Sequence, residues 1–149
     1  MRRLPFYALL ALIALASLGA EAPRSKELRF TDVAKQTAEF MECHRTIALA
    51  PEQEAVKRAA LKAMPAPCCS DNSAATCCCP CNLAKSIWGL SNYLIAKQNY
   101  DATQTRAKVE EWVRFINPSG YSGNACYQGG CGKPFAKGGC GGMAEPVVF

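Results

Sequence analysis

Six cysteines stand within positions 68–81 of this 149-residue chain, which has ten cysteines in all. Sulfur at this density serves either as structural disulfides or as a site that binds a soft metal ion or exchanges disulfides. Adjacent cysteines rarely bond to each other, so each thiol of the crowded segment needs a partner elsewhere or a shared ligand. The use of this sulfur is the main question that the sequence poses.

Residues 1–20 have the layout of a secretory signal peptide. A basic start at positions 2–3 is followed by an apolar run over 5–18 and by small residues at 19–20. The run is shorter than the roughly 20 residues that a membrane-spanning helix needs. We therefore expect cleavage after Ala20 and no stable membrane span afterwards. This predicts an exported protein, periplasmic or secreted, whose cysteines all reach an oxidising compartment.

The length fits one domain, which we place at 21–116, followed by a tail over 117–149. Half of the residues are apolar, so a small core can form. The formal net charge of +5 is spread along the chain without a cluster of Lys and Arg, which argues against a nucleic-acid partner. The sequence has no Ser/His/Asp grouping, phosphate loop or evident carboxylate pair, so a binding protein is favoured over an enzyme.

Four segments carry apolar residues at helical spacing, which predicts an all-α domain with the cysteine cluster in the loop between the second and third helices. The segments are 31–48, 51–64, 82–97 and 101–116. Thr31 or Asp32 can cap the first helix, and Asp101 with Gln104 matches a capping box for the fourth. Only a short linker joins the third and fourth helices, so we expect them to form a helical hairpin.

The tail over 117–149 is rich in glycine and contains Cys126, Cys131 and Cys140. The unit Gly-Gly-Cys-Gly occurs twice in it, at 129–132 and at 138–141. A segment with so few apolar side chains cannot order itself by burial. We expect it to be either flexible or held through its three cysteines.

Our first hypothesis is a site for copper(I) or zinc in the cysteine-rich loop. In Cys79-Pro80-Cys81 two thiolates flank one residue and can reach the same soft cation, and thiolates select these metals over magnesium or calcium. The neighbouring thiols allow a tetrahedral four-thiolate zinc site or a multi-copper cluster. The predicted ligands are Cys77, Cys78, Cys79 and Cys81, with Cys68 and Cys69 or the tail cysteines as auxiliary ligands.

The second hypothesis is thiol–disulfide exchange with a partner protein. Cys78-x-x-Cys81 matches the Cys-x-Pro-Cys motif of redox-active dithiols, with Cys78 as nucleophile and Cys81 as resolving thiol. The motif opens a helix, whose N-terminal amides lower a thiol pKa, and Lys85 would add to this effect. Thioredoxin-type motifs follow a strand in a βαβ unit. No convincing strand precedes Cys78, so the motif would act on a helical frame.

The third hypothesis is a disulfide-stapled structural or binding module without a reactive site. In it, Cys68 and Cys69 would bond to tail cysteines and tie the tail over the loop. Met41, Cys43 and His44 on the first helix are further soft donors. Cys43 or His44 would complete a site if that helix crosses the loop, and otherwise a lone histidine on an apolar face is a packed core residue.

Residues 77–120 resemble two families of exported bacterial proteins. Cys79-Pro80-Cys81 is similar to part of the Pro-Cys-Tyr-Cys-Gly-Cys motif that names one of them, a family of uncharacterised function. Cys78 and Cys81, followed by two helices, are similar to the periplasmic thiol reductant of cytochrome c maturation, in which Cys-x-x-Cys precedes a helical hairpin. The resemblance covers about a third of the chain. It implies a sulfur site on an exported helical domain.

Overall fold

The computed structural model describes residues 27–121 and 123–149, and four α-helices are the main secondary structure of this part. The helices are α1 (Val33–Thr46), α2 (Pro51–Lys62), α3 (Asn82–Gln98) and α4 (Ala102–Ile116). Two short strands, β1 (Pro65–Ala66) and β2 (Cys69–Ser73), lie between α2 and α3. The predicted all-α class is confirmed. The predicted signal peptide lies outside the described residues, and among those residues no helix is both long and apolar enough to cross a membrane.

α1 and α4 begin at residues whose side chains cap them. Asp32 caps α1, because its side chain accepts a hydrogen bond from the Lys35 amide at 2.9 Å. Asp101 and Gln104 form the predicted capping box of α4, with the Gln104 amide 2.8 Å from the Asp101 carboxylate and the Asp101 amide 3.0 Å from the Gln104 side chain. α2 ends at Lys62, two residues before its predicted end.

An aromatic cluster forms the core of the helical part. The Trp112 ring of α4 is fully buried, and its centroid lies 5.1 Å from those of both Phe30 and Phe40 and 5.9 Å from that of Phe115. The indole N–H of Trp112 donates to the Ser86 hydroxyl of α3 at 3.1 Å. A buried indole usually needs such a partner. The cluster therefore joins α1, α3 and α4 into one core.

α1 and α3 form the most extensive contact between two helices. At their crossing, a Cβ on Gly89 would overlap the backbone carbonyl of Phe40 and approach the backbone nitrogen of His44. The absence of a side chain at Gly89 therefore sets how closely the two helices approach. α3 also contacts α4, as predicted for consecutive helices, and the connection begins at Asn99 in the left-handed conformation (φ 53°).

β1 and β2 pair as an antiparallel hairpin, with Pro65 opposite Ser73 and Ala66 opposite Cys69. This hairpin corrects the expectation that no strand precedes Cys78. The sequence of β2, Cys-Ser-Asp-Asn-Ser, has neither alternating apolar residues nor β-branched ones, so its pattern gave no strand signal. A single antiparallel pair is not the βαβ setting of a thioredoxin motif, and the described residues contain no other sheet.

The tail after α4 is held by backbone hydrogen bonds as well as by a few apolar side chains. Phe135 and Cys140 are buried in the core. The first amides of α3, on Asn82 and Leu83, donate to the carbonyls of Gly142 at 2.8 Å and Cys140 at 3.0 Å. The first amides of any helix lack partners within the helix and need outside acceptors. These backbone hydrogen bonds are a third means of ordering the tail, beside the burial and the cysteines that its sequence suggested.

Candidate metal centre

Two groups of three thiols form where the hairpin, the loop before α3 and the tail meet. The inner thiol group is Cys68, Cys77 and Cys81, and the outer thiol group is Cys78, Cys79 and Cys126. Within each group, all three Sγ atoms lie within 4.8 Å of one another. The inner group is mostly buried and the outer group lies at the surface, with Cys78 exposed. All ten cysteines lie in the described part of the chain, and none forms a disulfide.

Three different local structures place the inner thiol group. Cys68 lies in the turn between β1 and β2, and Cys81 immediately precedes α3 as its N-cap residue. Cys77 lies in the irregular loop between them. This loop is anchored to the helical part because the Trp88 indole donates to the Ala74 carbonyl at 2.8 Å. The inner group is therefore supported on one side by the start of α3.

The outer thiol group joins the loop to the tail. Cys78 and Cys79 come from the loop and Cys126 from the tail. The Cys126 amide donates to the Cys68 carbonyl at 2.9 Å, which positions the tail beside the hairpin turn. The Sγ atom of Cys126 also lies 3.6 Å from that of Cys131. Sulfur atoms from two distant parts of the sequence thus meet at this surface.

Hydrogen bonds between the inner thiols move their pKa values in opposite directions. Hydrogen bonds to Cys77 and Cys81, together with burial, raise the pKa of Cys68. The pKa of Cys81 is lowered. Its contact with Cys140 acts to raise this pKa, but hydrogen bonds from Cys68 and Cys77 and from the Ala84 amide lower it by more. Cys81 is therefore the inner thiol that loses its proton first.

The outer thiols and Cys69 also differ in acidity. Burial raises the pKa of Cys79. The hydrogen bond with Cys131 raises the pKa of Cys126 to about 12. The side-chain amide of Asn72 donates to Cys69 Sγ at 3.4 Å and lowers the pKa of that thiol. A metal ion that bound the outer group would have to displace protons, because only the thiolate is a ligand.

The structure divides the four main predicted ligands between the two groups. Cys77 and Cys81 belong to the inner group, and Cys78 and Cys79 belong to the outer group. The division follows position in the segment, because the two outer residues are adjacent and lie between the two inner ones. The predicted redox pair, Cys78 and Cys81, is divided in the same way.

The auxiliary predictions have different outcomes. Cys68 joins the inner group, whereas Cys69 belongs to neither group, although its thiol contacts Cys78. Cys126, one of the tail cysteines predicted as auxiliary ligands, is one of the three members of the outer group. No short-range spacing could show this, since the residue lies far along the chain from its neighbours in space.

α1 adds no thiol or imidazole to either group. Met41 is buried in the core, as its position on the apolar face of α1 indicated. Neither Cys43 nor His44 lies in either thiol group, so the structure does not bring them to the site as the sequence would have allowed had α1 crossed the loop. The Lys85 ammonium donates to the Met143 carbonyl at 2.7 Å and not to a thiol. Lys85 therefore helps to hold the tail.

Comparisons of the chain with family models, with curated proteins and with solved structures found no match. The two thiol groups are consequently interpreted from their own geometry and chemistry.

Proposed function

We propose that this protein binds a soft metal ion, copper(I) or zinc, through the clustered thiolates at the start of α3. The observation that carries the proposal is the inner thiol group, in which three Sγ atoms lie within 4.8 Å of one another. Thiolates are the protein ligands that copper(I) and zinc prefer. The protein would be a metal-binding protein and not an enzyme.

The spacing of the inner thiols is close to that of a metal site. A zinc–sulfur bond of about 2.3 Å in a tetrahedron separates neighbouring sulfurs by about 3.8 Å, so a small contraction of the group would suffice. A disulfide joins two sulfurs at about 2 Å and would leave the third thiol of each group without a partner. Three-way grouping therefore favours a shared ligand over pairwise bonds.

The inner group also borders a space of suitable size. A cavity of about 10 Å³ is lined by Cys68, Cys77 and Cys81 together with apolar side chains, including Leu83 and Ile87. A volume of this order accommodates roughly one water-sized body. A single metal ion that takes all its ligands from sulfur needs no more room, and the apolar walls would shield the metal–sulfur bonds from water.

We also propose that the protein is exported, as the signal-peptide layout of residues 1–20 predicts. In an oxidising compartment, free thiols are converted to disulfides unless something occupies them. A bound metal ion occupies thiolates and would delay that reaction. Metal binding and export are thus compatible, and the resemblance to exported bacterial families supports the same interpretation.

The test is to isolate the protein from its own compartment and to measure metal and thiols on the same sample. Elemental analysis should find copper or zinc in a stoichiometric amount. Cys77→Ser, which removes an inner thiol, should lower the metal content. Cys43→Ser is the matched control, because Cys43 lies outside both thiol groups, and it should leave the metal content unchanged.

Two results would contradict metal binding. A metal-free protein with five disulfides by mass spectrometry would select the stapled module. A metal-free protein that forms a mixed disulfide with a partner when Cys81 is replaced by serine would select thiol–disulfide exchange. The second outcome has less support, because Cys78 and Cys81 lie in different thiol groups.

A further inference from the structure

We propose that the two Gly-Gly-Cys-Gly units of the tail each supply the fourth sulfur ligand of one metal ion, which makes the site a two-ion centre. Cys140 would complete the inner thiol group and Cys131 would complete the outer one. This inference rests on the proposed metal binding and adds to it the number of ions and the last ligand of each.

Backbone geometry brings Cys140 to the inner group. Its carbonyl accepts from the Leu83 amide at 3.0 Å, and the Gly142 carbonyl accepts from the Asn82 amide at 2.8 Å. Both amides follow Cys81 directly in the sequence, so the second glycine unit lies against the residue that carries an inner thiol. The Cys140 thiol is buried and near enough to the Cys81 thiol to act on its pKa, and its own S–H donates to the Cys131 carbonyl at 3.1 Å.

Cys131 stands in the same relation to the outer group. Its Sγ atom lies 3.6 Å from that of Cys126, close to the sulfur separation of a tetrahedral site. Cys140 and Cys131 lie outside the three-thiol groups, and a bound metal would draw them in. Each group would then have four sulfur atoms, which is the ligand number of closed tetrahedral zinc sites. Eight of the ten cysteines would then act as ligands.

The two glycine units begin with matching backbone geometry, which gives the repeat a physical meaning, although of their last glycines only Gly141 has a positive φ. Their first glycines, Gly129 and Gly138, both adopt positive φ angles, 75° and 72°. The second glycine of each unit lies so close to a backbone carbonyl that a Cβ would overlap it. Each unit therefore turns the chain sharply and then presents one cysteine, and a side chain on either glycine would prevent this.

The units are also bonded to each other. The Cys140 amide donates to the Gly130 carbonyl at 3.2 Å, and the Gly142 amide donates to the Cys131 carbonyl at 2.8 Å. This pairing fixes the spacing between the two tail cysteines and hence between the two sites. It explains why a repeat of only two copies is present: one copy serves each ion.

A buried hydroxyl near the inner group supports a charged sulfur cluster. The Tyr121 hydroxyl is buried and has no hydrogen-bond partner within the described residues. Burial raises the pKa of this phenol, and the negative charge that Cys68, Cys140 and Cys81 would carry as thiolates raises it further. An unpaired buried donor is costly, and a metal-bound thiolate is an acceptor that would satisfy it.

The experiment titrates the reduced full-length protein with cobalt(II), whose absorption reports tetrahedral thiolate coordination, and then displaces cobalt with zinc. The original chain should bind two ions. Cys140→Ser and Cys131→Ser should each lower the affinity for one ion by at least about tenfold and leave the affinity for the other unchanged. Mutations of groups outside the ligand shell already change metal affinity by this amount. Cys43→Ser should bind both ions normally.

The outcomes separate this inference from the function on which it rests. If neither serine variant alters the affinity or the spectrum of either ion, the tail cysteines are not ligands, while metal binding itself stands. If the original chain binds no cobalt or zinc, metal binding fails as well. The unaffected ion in each variant, together with unchanged helical circular dichroism, shows that the variant is folded.

Discussion

The helical part buries Phe40 and Trp112 among other aromatic rings, whereas the hairpin, the loop before α3 and the tail direct thiols towards one another. The first arrangement is stabilised by removal of apolar surface from water, which needs no other component. The second buries fewer large apolar side chains, and the proposed metal would add stability where it joins sulfur atoms. We infer that a metal, where it binds, stabilises the thiol-rich part more than the helical part.

The largest expected effect comes from the core of the helical part. Trp112→Ala should lower the free energy of unfolding by about 3–5 kcal/mol, because it removes a large buried ring and leaves a cavity. Urea denaturation of the metal-free protein measures this loss. Trp112→Phe is the matched control and should cost clearly less. A loss below about 1 kcal/mol for Trp112→Ala would mean that the aromatic cluster contributes little to the stability of the helical part.

The second effect concerns the crossing of α1 and α3. Gly89→Ala should destabilise the protein by about 1–3 kcal/mol or more, because the added methyl group meets the Phe40 carbonyl and the helices have to separate. Gly132→Ala is the control, since a Cβ at Gly132 meets nothing within 4 Å. Thermal unfolding of both variants would check this. Equal melting temperatures would show that the crossing tolerates a larger residue.

The third effect sharpens the boundary between the two parts. The Asn82 side chain donates to the carbonyls of Gly141 at 2.8 Å and Ala144 at 3.0 Å, so Asn82→Ala should cost about 1–3 kcal/mol and expose the tail. Hydrogen exchange should rise in the tail and not in α1. Asn92→Ala removes a hydrogen bond to the Ile47 carbonyl at the end of α1. It should raise hydrogen exchange in α1 and not in the tail.

The smallest effect is a pH dependence that belongs to the helical part. Burial, and then the nearby charges of Lys57, Lys85 and Arg45, lower the pKa of His44 below its ordinary value of 6.5. Below pH 6.5 the unfolded chain therefore takes up a proton before the folded protein does. The free energy of unfolding should fall as the pH drops below this value, and no such contribution should exist above it.

His44→Gln should remove this part of the acid sensitivity, because His44 is the only histidine in the chain. The comparison requires denaturation curves of the metal-free, reduced protein at several pH values between 5 and 8. Identical pH profiles for the original protein and the variant would contradict the argument.

The helices could be predicted from the sequence because their signals are local. Apolar spacing and the capping residues Asp32, Asp101 and Gln104 act within a few positions. The observed ends of α1 and α4 therefore lie within about two residues of the predicted ones. β2 was not predicted because it lacks such a local signal. A short strand of mainly polar residues that pairs with one neighbour has no apolar alternation of its own.

The thiol groups could be predicted only in part. The crowding of residues 68–81 marked the right region, but the assignment of each thiol depends on side-chain direction and on contacts over long sequence separations. Cys126 and Cys140 reach their neighbours because the tail folds back on Cys68 and on the start of α3. Nothing in the spacing of those cysteines reports this fold-back.

The capping of α3 by the tail has a consequence for the order of events during synthesis. Asn82 bonds to Gly141, which is 59 positions further along the chain, and Gly142 and Cys140 provide the acceptors for the first helix amides. A ribosome makes these acceptors long after it has made Cys81. Until they emerge, the first amides of α3 lack these acceptors, so the segment that carries Cys81 reaches its final structure only after the tail has been made.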